Sequence, residues 1–115
     1  MLDHEKVGAY HHSLQLLDIA DEILEASKLN AHLRSQLDRA ATSIVLNIAE
    51  GAGEFSKDEK QRFYRMARRS ATETAAILDI LDILDRGKTV DAAAIEPGRE
   101  LLVRVVSMLA RLAGA

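Results

Sequence analysis

Four arginines, Arg62, Arg65, Arg68 and Arg69, carry the strongest chemical signal in this chain. Arg62, Arg65 and Arg69 recur at helical spacing, so they share one side of a helix, with Arg68 beside them and Tyr64 interleaved. Such a ridge can track the phosphates of RNA or DNA, because each guanidinium pairs with phosphate oxygens and releases bound counterions. A solvated helix face offers the same residues a plainer role, pairing with Asp58, Glu59 or Glu73 on neighbouring turns. Pairing across a subunit interface is a third.

A second signal is Asn47-Ile48-Ala49-Glu50-Gly51, followed by Ser56-Lys57-Asp58-Glu59. Asn47 falls at the edge of an apolar helix stripe, where an amide costs stability unless hydrogen-bonded but can fix helix register. Glu50 lies near a helix C-terminus, the unfavourable end of the dipole for an acid. It calls for a cation, and Arg62 or Arg65 on the following helix is the expected partner. Gly51 and Gly53 are read as the stop, since glycine takes left-handed backbone angles at little cost. A functional surface is the alternative role for Asn47 and Glu50.

Other chemistries lack their parts. A di-iron bundle needs Glu-x-x-His pairs, and no Asp or Glu here has a histidine three residues later. The histidines are His4, His11, His12 and His32. His11 and His12 are adjacent, about 100° apart on a helix, and do not converge on one metal. Small helical RNases of the HEPN class use an arginine followed shortly by a histidine, whereas here every histidine precedes every arginine. Ser13, Ser27, Ser35, Ser43, Ser70 and Ser107 all lie in helical patterns, without the strained turn of a hydrolase nucleophile. Gly51-Ala52-Gly53 lacks the lysine of a phosphate-binding loop. With no cysteine, disulfides and thiolate metal sites are excluded. The expectation is a protein without catalytic residues, metal or cofactor.

The elements that position these residues follow from periodicity. Aromatics are only 3% of the chain, so its core must come from Leu, Ile, Val and Ala, which suits close-packed helices. Four helices are predicted: His4 to Ser27, with Asp3 as N-cap; Ala31 to Gly51; Ser56 to Arg86; and Val90 to Leu112. Their stripes are Val7, Tyr10, Leu14, Leu17, Ile19 or Ala20, and Leu24; Leu33, Leu37, Ala40, Ile44 and Ile48; Phe63, Ala67, Ser70, Thr74, Ile77, Leu81 and Leu84; and Leu101, Val105, Met108 and Leu112, widened by Val106 and Leu109. Ser56 with Glu59 forms a capping box at the third. Pro97-Gly98 should kink the fourth or split a short turn from it. Connections of about three, five and three residues force antiparallel neighbours, hence an all-α, up-down-up-down antiparallel four-helix bundle folding as one domain over residues 1–115. Apolar residues occupy more than one face of the second and fourth helices, Ala41 and Val45 beside Ile44 and Ile48, which points to a homo-oligomer.

The net charge of −3 hides an uneven chain: residues 1–30 hold six acids and two bases, residues 31–72 eight bases and five acids. No apolar run reaches the roughly 18 residues of a membrane span, and the N-terminus lacks the basic and apolar regions of a signal peptide. A cytoplasmic location is expected, with no membrane partner.

Ser43-Ile44-x-x-Asn47-Ile48-Ala49-Glu50-Gly51, then Ser56, then Phe63-Tyr64-x-x-Ala67-x-x-Ser70-x-x-Glu73, resembles the bacterial four-helix-bundle family of 23S rRNA-intervening-sequence proteins, also labelled S23 ribosomal protein. Leu37-Asp38-Arg39-Ala40-Ala41 matches the family's approach to that motif. The likeness covers the second and third helices, and the first and fourth by pattern alone. Arg69 stands where the family often has glycine, and Ala52 where a larger residue is common; both changes bear on the surface. The resemblance implies a cytoplasmic ring, with a pentamer favoured, no established catalysis, and a partner-presenting scaffold as its role. A related branch, the accessory proteins of diversity-generating retroelements, binds a reverse transcriptase and nucleic acid. Those proteins are strongly basic, and this chain is not.

Overall fold

The computed structural model describes residues 3–26, 31–85 and 92–114. A 3-10 turn, Asp3–Lys6, leads into four helices: α1 (Gly8–Ala26), α2 (Ala31–Gly53), α3 (Lys57–Asp85) and α4 (Ala92–Leu112). Among the described residues there is no strand. α2 packs on α1 and α3, and α4 packs on the same two, while α1 and α3 make no close approach. The expected ends at Ser27, Arg86 and Val90 lie outside the described residues.

Asp3 does not cap α1. The chain first makes the 3-10 turn, with the Val7 amide donating to the His4 carbonyl at 3.1 Å, and α1 starts only at Gly8. Ser56 does cap α3: its hydroxyl accepts from the Glu59 amide at 3.4 Å. The Glu59 carboxylate does not complete the box, because Arg62 holds it instead. α4 runs through Pro97 without interruption. A proline this early in a helix forfeits only one interior hydrogen bond. A Cβ at Gly98 would make ordinary contact with the side chains of Leu78, at 3.4 Å, and Ile19, at 3.5 Å.

One core runs the length of the molecule. α2 contributes Leu37, Ala40, Ile44 and Ile48, on the expected stripe. In α1 the stripe is rotated: Ala20 is buried as expected, but Ala9, Ser13, Leu16 and Ile23 take the core in place of the expected Leu14 and Leu17. In α3 the expected Ala67, Thr74, Ile77 and Leu81 are buried, Tyr64, Ala71 and Leu78 join them, and Leu84 is exposed. In α4 Val105 and Leu109 are buried as expected, beside Ile95 and Leu102. A straight helix of 3.6 residues per turn drifts off a strict seven-residue repeat, and small residues such as Ala9, Ser13 and Ala71 take the closest approach.

The second apolar face of α2 needs no second subunit. Ala41 and Val45 are buried within this chain, because α2 is covered by α1, α3 and the 3-10 turn. The apolar side chains left in solvent are different ones: Leu46, Phe55, Ile83, Leu84 and Val103.

Candidate functional site

The motif segment and the arginine ridge meet at the corner where α2 hands over to α3. A polar seam joins the two helices. Asn47 Nδ2 donates to the Ser43 carbonyl at 2.9 Å and to Ser43 Oγ at 3.0 Å. Ser70 Oγ, from α3, donates to the same Ser43 oxygen at 2.9 Å. Thr74, fully buried, returns its hydroxyl to the Ser70 carbonyl at 2.8 Å. Asn47 is thus tied into its own helix, and Ser43–Ser70 is the link that sets the register of α2 against α3. A cleft of about 140 Å³ opens beside the seam, lined by Gln36, Arg39, Ser43, Ser70 and Glu73. Ser43 and Ser70 are hydrogen-bonded to each other. The seam works as a helix-to-helix clasp.

Gly51 is not a helix stop. α2 continues to Gly53, and Gly114 is the residue with positive φ among the described glycines. Gly51 is buried against α3: a Cβ there would sit 2.8 Å from Tyr64 Cε1 and 3.2 Å from Phe63 Cβ. Its role is close approach. Tyr64 packs against it, and burial pushes the phenol pKa up.

The expected pairing of Glu50 with Arg62 or Arg65 does not form. Glu50 is exposed and takes part in no ion pair among the described residues. The cation that the end of α2 requires comes from Lys60, whose Nζ donates to the carbonyls of Gly51 at 3.2 Å and Ala52 at 2.8 Å. Lys60 is a base in the first turn after a short connection, a position from which it reaches the last carbonyls of the preceding helix. Lys60→Met keeps the apolar stem and removes both bonds. It is expected to cost about 1–2 kcal/mol in urea unfolding at neutral pH.

Arg62, Arg65 and Arg69 all reach solvent, and Arg68 is half-buried. Arg62 grips both oxygens of Glu59, with Nη2 to Oε2 at 3.0 Å, and lies 4.5 Å over the Phe63 ring. That hydrogen bond holds the Glu59 carboxyl below its ordinary pKa and raises that of Arg62. Arg65, Arg68 and Arg69 form no ion pair among the described residues. Two exposed apolar neighbours went unnoticed in the sequence: Leu46, one residue before Asn47, and Phe55, fully exposed in the turn between α2 and α3. Phe55 stands between Glu54 and Ser56, and an aromatic in so polar a turn was the available signal.

The model of the family described as 23S rRNA-intervening sequence protein matches residues 6–111, nearly the whole chain and all the clasp residues. The chain belongs to this family. A crystal structure of a protein of unknown function from the S23 ribosomal protein family, from Bacteroides thetaiotaomicron VPI-5482, is similar to it throughout. The TM-score is 0.75 at 18% identity, over 93% of this chain and 95% of that one. At that identity the likeness speaks for the fold. No curated protein matches the chain. Of the residues that carry the resemblance, Ser43, Asn47 and Ser70 form the clasp, Glu50 is exposed, Gly51 lies against Tyr64 and Ser56 caps α3. No group of three or more His, Asp or Glu suited to a metal occurs among the described residues. No helix among them is long and apolar enough to cross a membrane.

Proposed function

We propose that this chain is a non-enzymatic, cytoplasmic scaffold: a single-domain, up-down-up-down antiparallel bundle that assembles into a homo-oligomeric ring, with a pentamer favoured, and presents a surface to a partner protein. The three-residue connection 54–56 supports antiparallel α2 and α3. The observation that carries the reading is the set of large apolar side chains left in water once the core is closed: Phe55 fully exposed, Leu46 at 59%, Ile83 at 65% and Val103 at 67%. Side chains of this size, spread over α2, α3 and α4, fit a subunit with more than one neighbour. The motif residues, by contrast, are spent on holding α2 to α3, and no cofactor is called for. Light scattering tests the assembly; a clean 12.6 kDa monomer across micromolar concentrations would remove it.

A second reading has one observation in its favour. Arg65 and Arg69 are exposed and, with Arg68, lack an intramolecular ion pair among the described residues. Together with Arg62 they would suit the phosphates of RNA or DNA in an accessory role. Retention of a structured RNA should then fall about tenfold or more between 50 and 200 mM salt. Absence of retention at low salt rules this reading out.

A further inference from the structure

The outer face of α1 is acidic. Asp18, Asp21, Glu22 and Glu25 are all exposed, and the helix contains no lysine or arginine from Gly8 to Ala26. Beside these acids, Leu14, Leu17, Ala20 and Leu24 of α1 meet Asp38 and Thr42 of α2 around a groove of about 410 Å³. Its floor is aliphatic and its rim carries Asp18, Asp21 and Asp38. Leu14 is 39% exposed at its mouth.

α3 carries the inverse pattern. Arg62, Arg65 and Arg69 stand outward on its first half, and Met66, 37% exposed, lies among them. Glu73, one turn beyond Arg69, forms no ion pair with it. The periods agree. Asp18, Asp21 and Glu25 are three and four residues apart, as are Arg62, Arg65 and Arg69. Each row spans roughly 10 Å of helix. The acidic row of α1 and the arginine row of α3 do not meet within one chain, because α1 and α3 make no close approach.

We infer that the arginine ridge of α3 docks into the acidic, leucine-floored groove between α1 and α2 of a second copy of this chain. Met66 enters the groove, and Arg62, Arg65 and Arg69 pair with carboxylates along its rim. The contact is heterologous: each copy offers its ridge to one neighbour and its groove to another. Contacts of that type close into rings or run on as filaments, and do not stop at a dimer. This inference rests on the proposed assembly and names the surfaces that make it. It also gives the arginines an occupant other than nucleic acid.

The test uses the full chain and two exposed double variants, Arg65→Glu with Arg69→Glu, and Asp18→Lys with Asp21→Lys. Each is expected to weaken self-association roughly a hundredfold, because like charges then face each other across the contact. Far-UV circular dichroism should show unchanged helicity, since none of the four side chains is buried. Mixing the two variants should restore assembly beyond a dimer, with the two present in equal number, because the native ridge of one meets the native groove of the other and the acidic ridge complements the basic groove. A quadruple variant carrying both reversals should assemble again, and it keeps the test open if either double variant folds badly. A monomeric wild type removes both the scaffold reading and this inference. A wild-type ring that survives either reversal overturns the inference and leaves the scaffold standing. Loss of RNA retention in Arg65→Glu with Arg69→Glu, at unchanged mass, also overturns it and assigns the ridge to nucleic acid.

Discussion

Gly51→Ala is expected to destabilise the protein by about 1–2 kcal/mol, while Gly53→Ala, two residues on, is expected to leave stability unchanged or raise it by up to about 1 kcal/mol. Both glycines lie in α2, where alanine is favoured over glycine by roughly 1 kcal/mol in a helix interior. At Gly53 nothing stands within 4 Å of a new Cβ, so that preference acts unopposed. At Gly51 the Cβ would come within 2.8 Å of the Tyr64 ring, which is 95% buried by its neighbours and cannot swing away. The ring would move as a block with the first turns of α3, and overpacking of that kind costs about 1–3 kcal/mol. Denaturant midpoints of the two variants decide the matter. Equal behaviour would mean that α3 yields readily and that Gly51 is not a close-approach residue. Gly51→Ala with Tyr64→Leu should recover part of the loss, because it relieves the same contact.

The distinction between those two glycines was not legible in the sequence. Both follow a helical run and both look like punctuation. What separates them is the phase of α3, which brings Tyr64 over one and leaves the other in solvent. The same missing phase explains the rotated stripe of α1. Four helices, their approximate extents and the pairing of Ser56 with α3 follow from local pattern alone, because caps and periodicity are written within a few residues. Which of two adjacent apolar residues turns inward is set by the neighbouring helix. Leu16 in place of Leu14 was therefore beyond the reach of periodicity. The clasp was half legible. Asn47 could be placed at the edge of the core, but its anchor is Ser43 on its own helix, and the true crossing bond is Ser43 to Ser70. Glu50 shows the complementary error: its carboxylate suggested an arginine partner, whereas the cation at the end of α2 is Lys60 and it binds the carbonyls of Gly51 and Ala52.

Ile48→Ala should cost about 2–5 kcal/mol, against less than about 0.5 kcal/mol for Leu46→Ala. The two residues stand on either side of Asn47. Ile48 has no solvent exposure and belongs to the core shared with α3, whereas Leu46 is 59% exposed. Truncating Ile48 loses the transfer free energy of three carbons and leaves a cavity that the clasp prevents α3 from closing, which places the cost toward the upper part of that range. A midpoint shift for Leu46→Ala as large as that for Ile48→Ala would show that Leu46 is covered in solution, and so belongs to an interface between copies. The measurement therefore separates two roles inside one motif. If stability follows burial as stated, the family motif is a device for joining α2 to α3, and binding falls to the faces that the motif leaves outside.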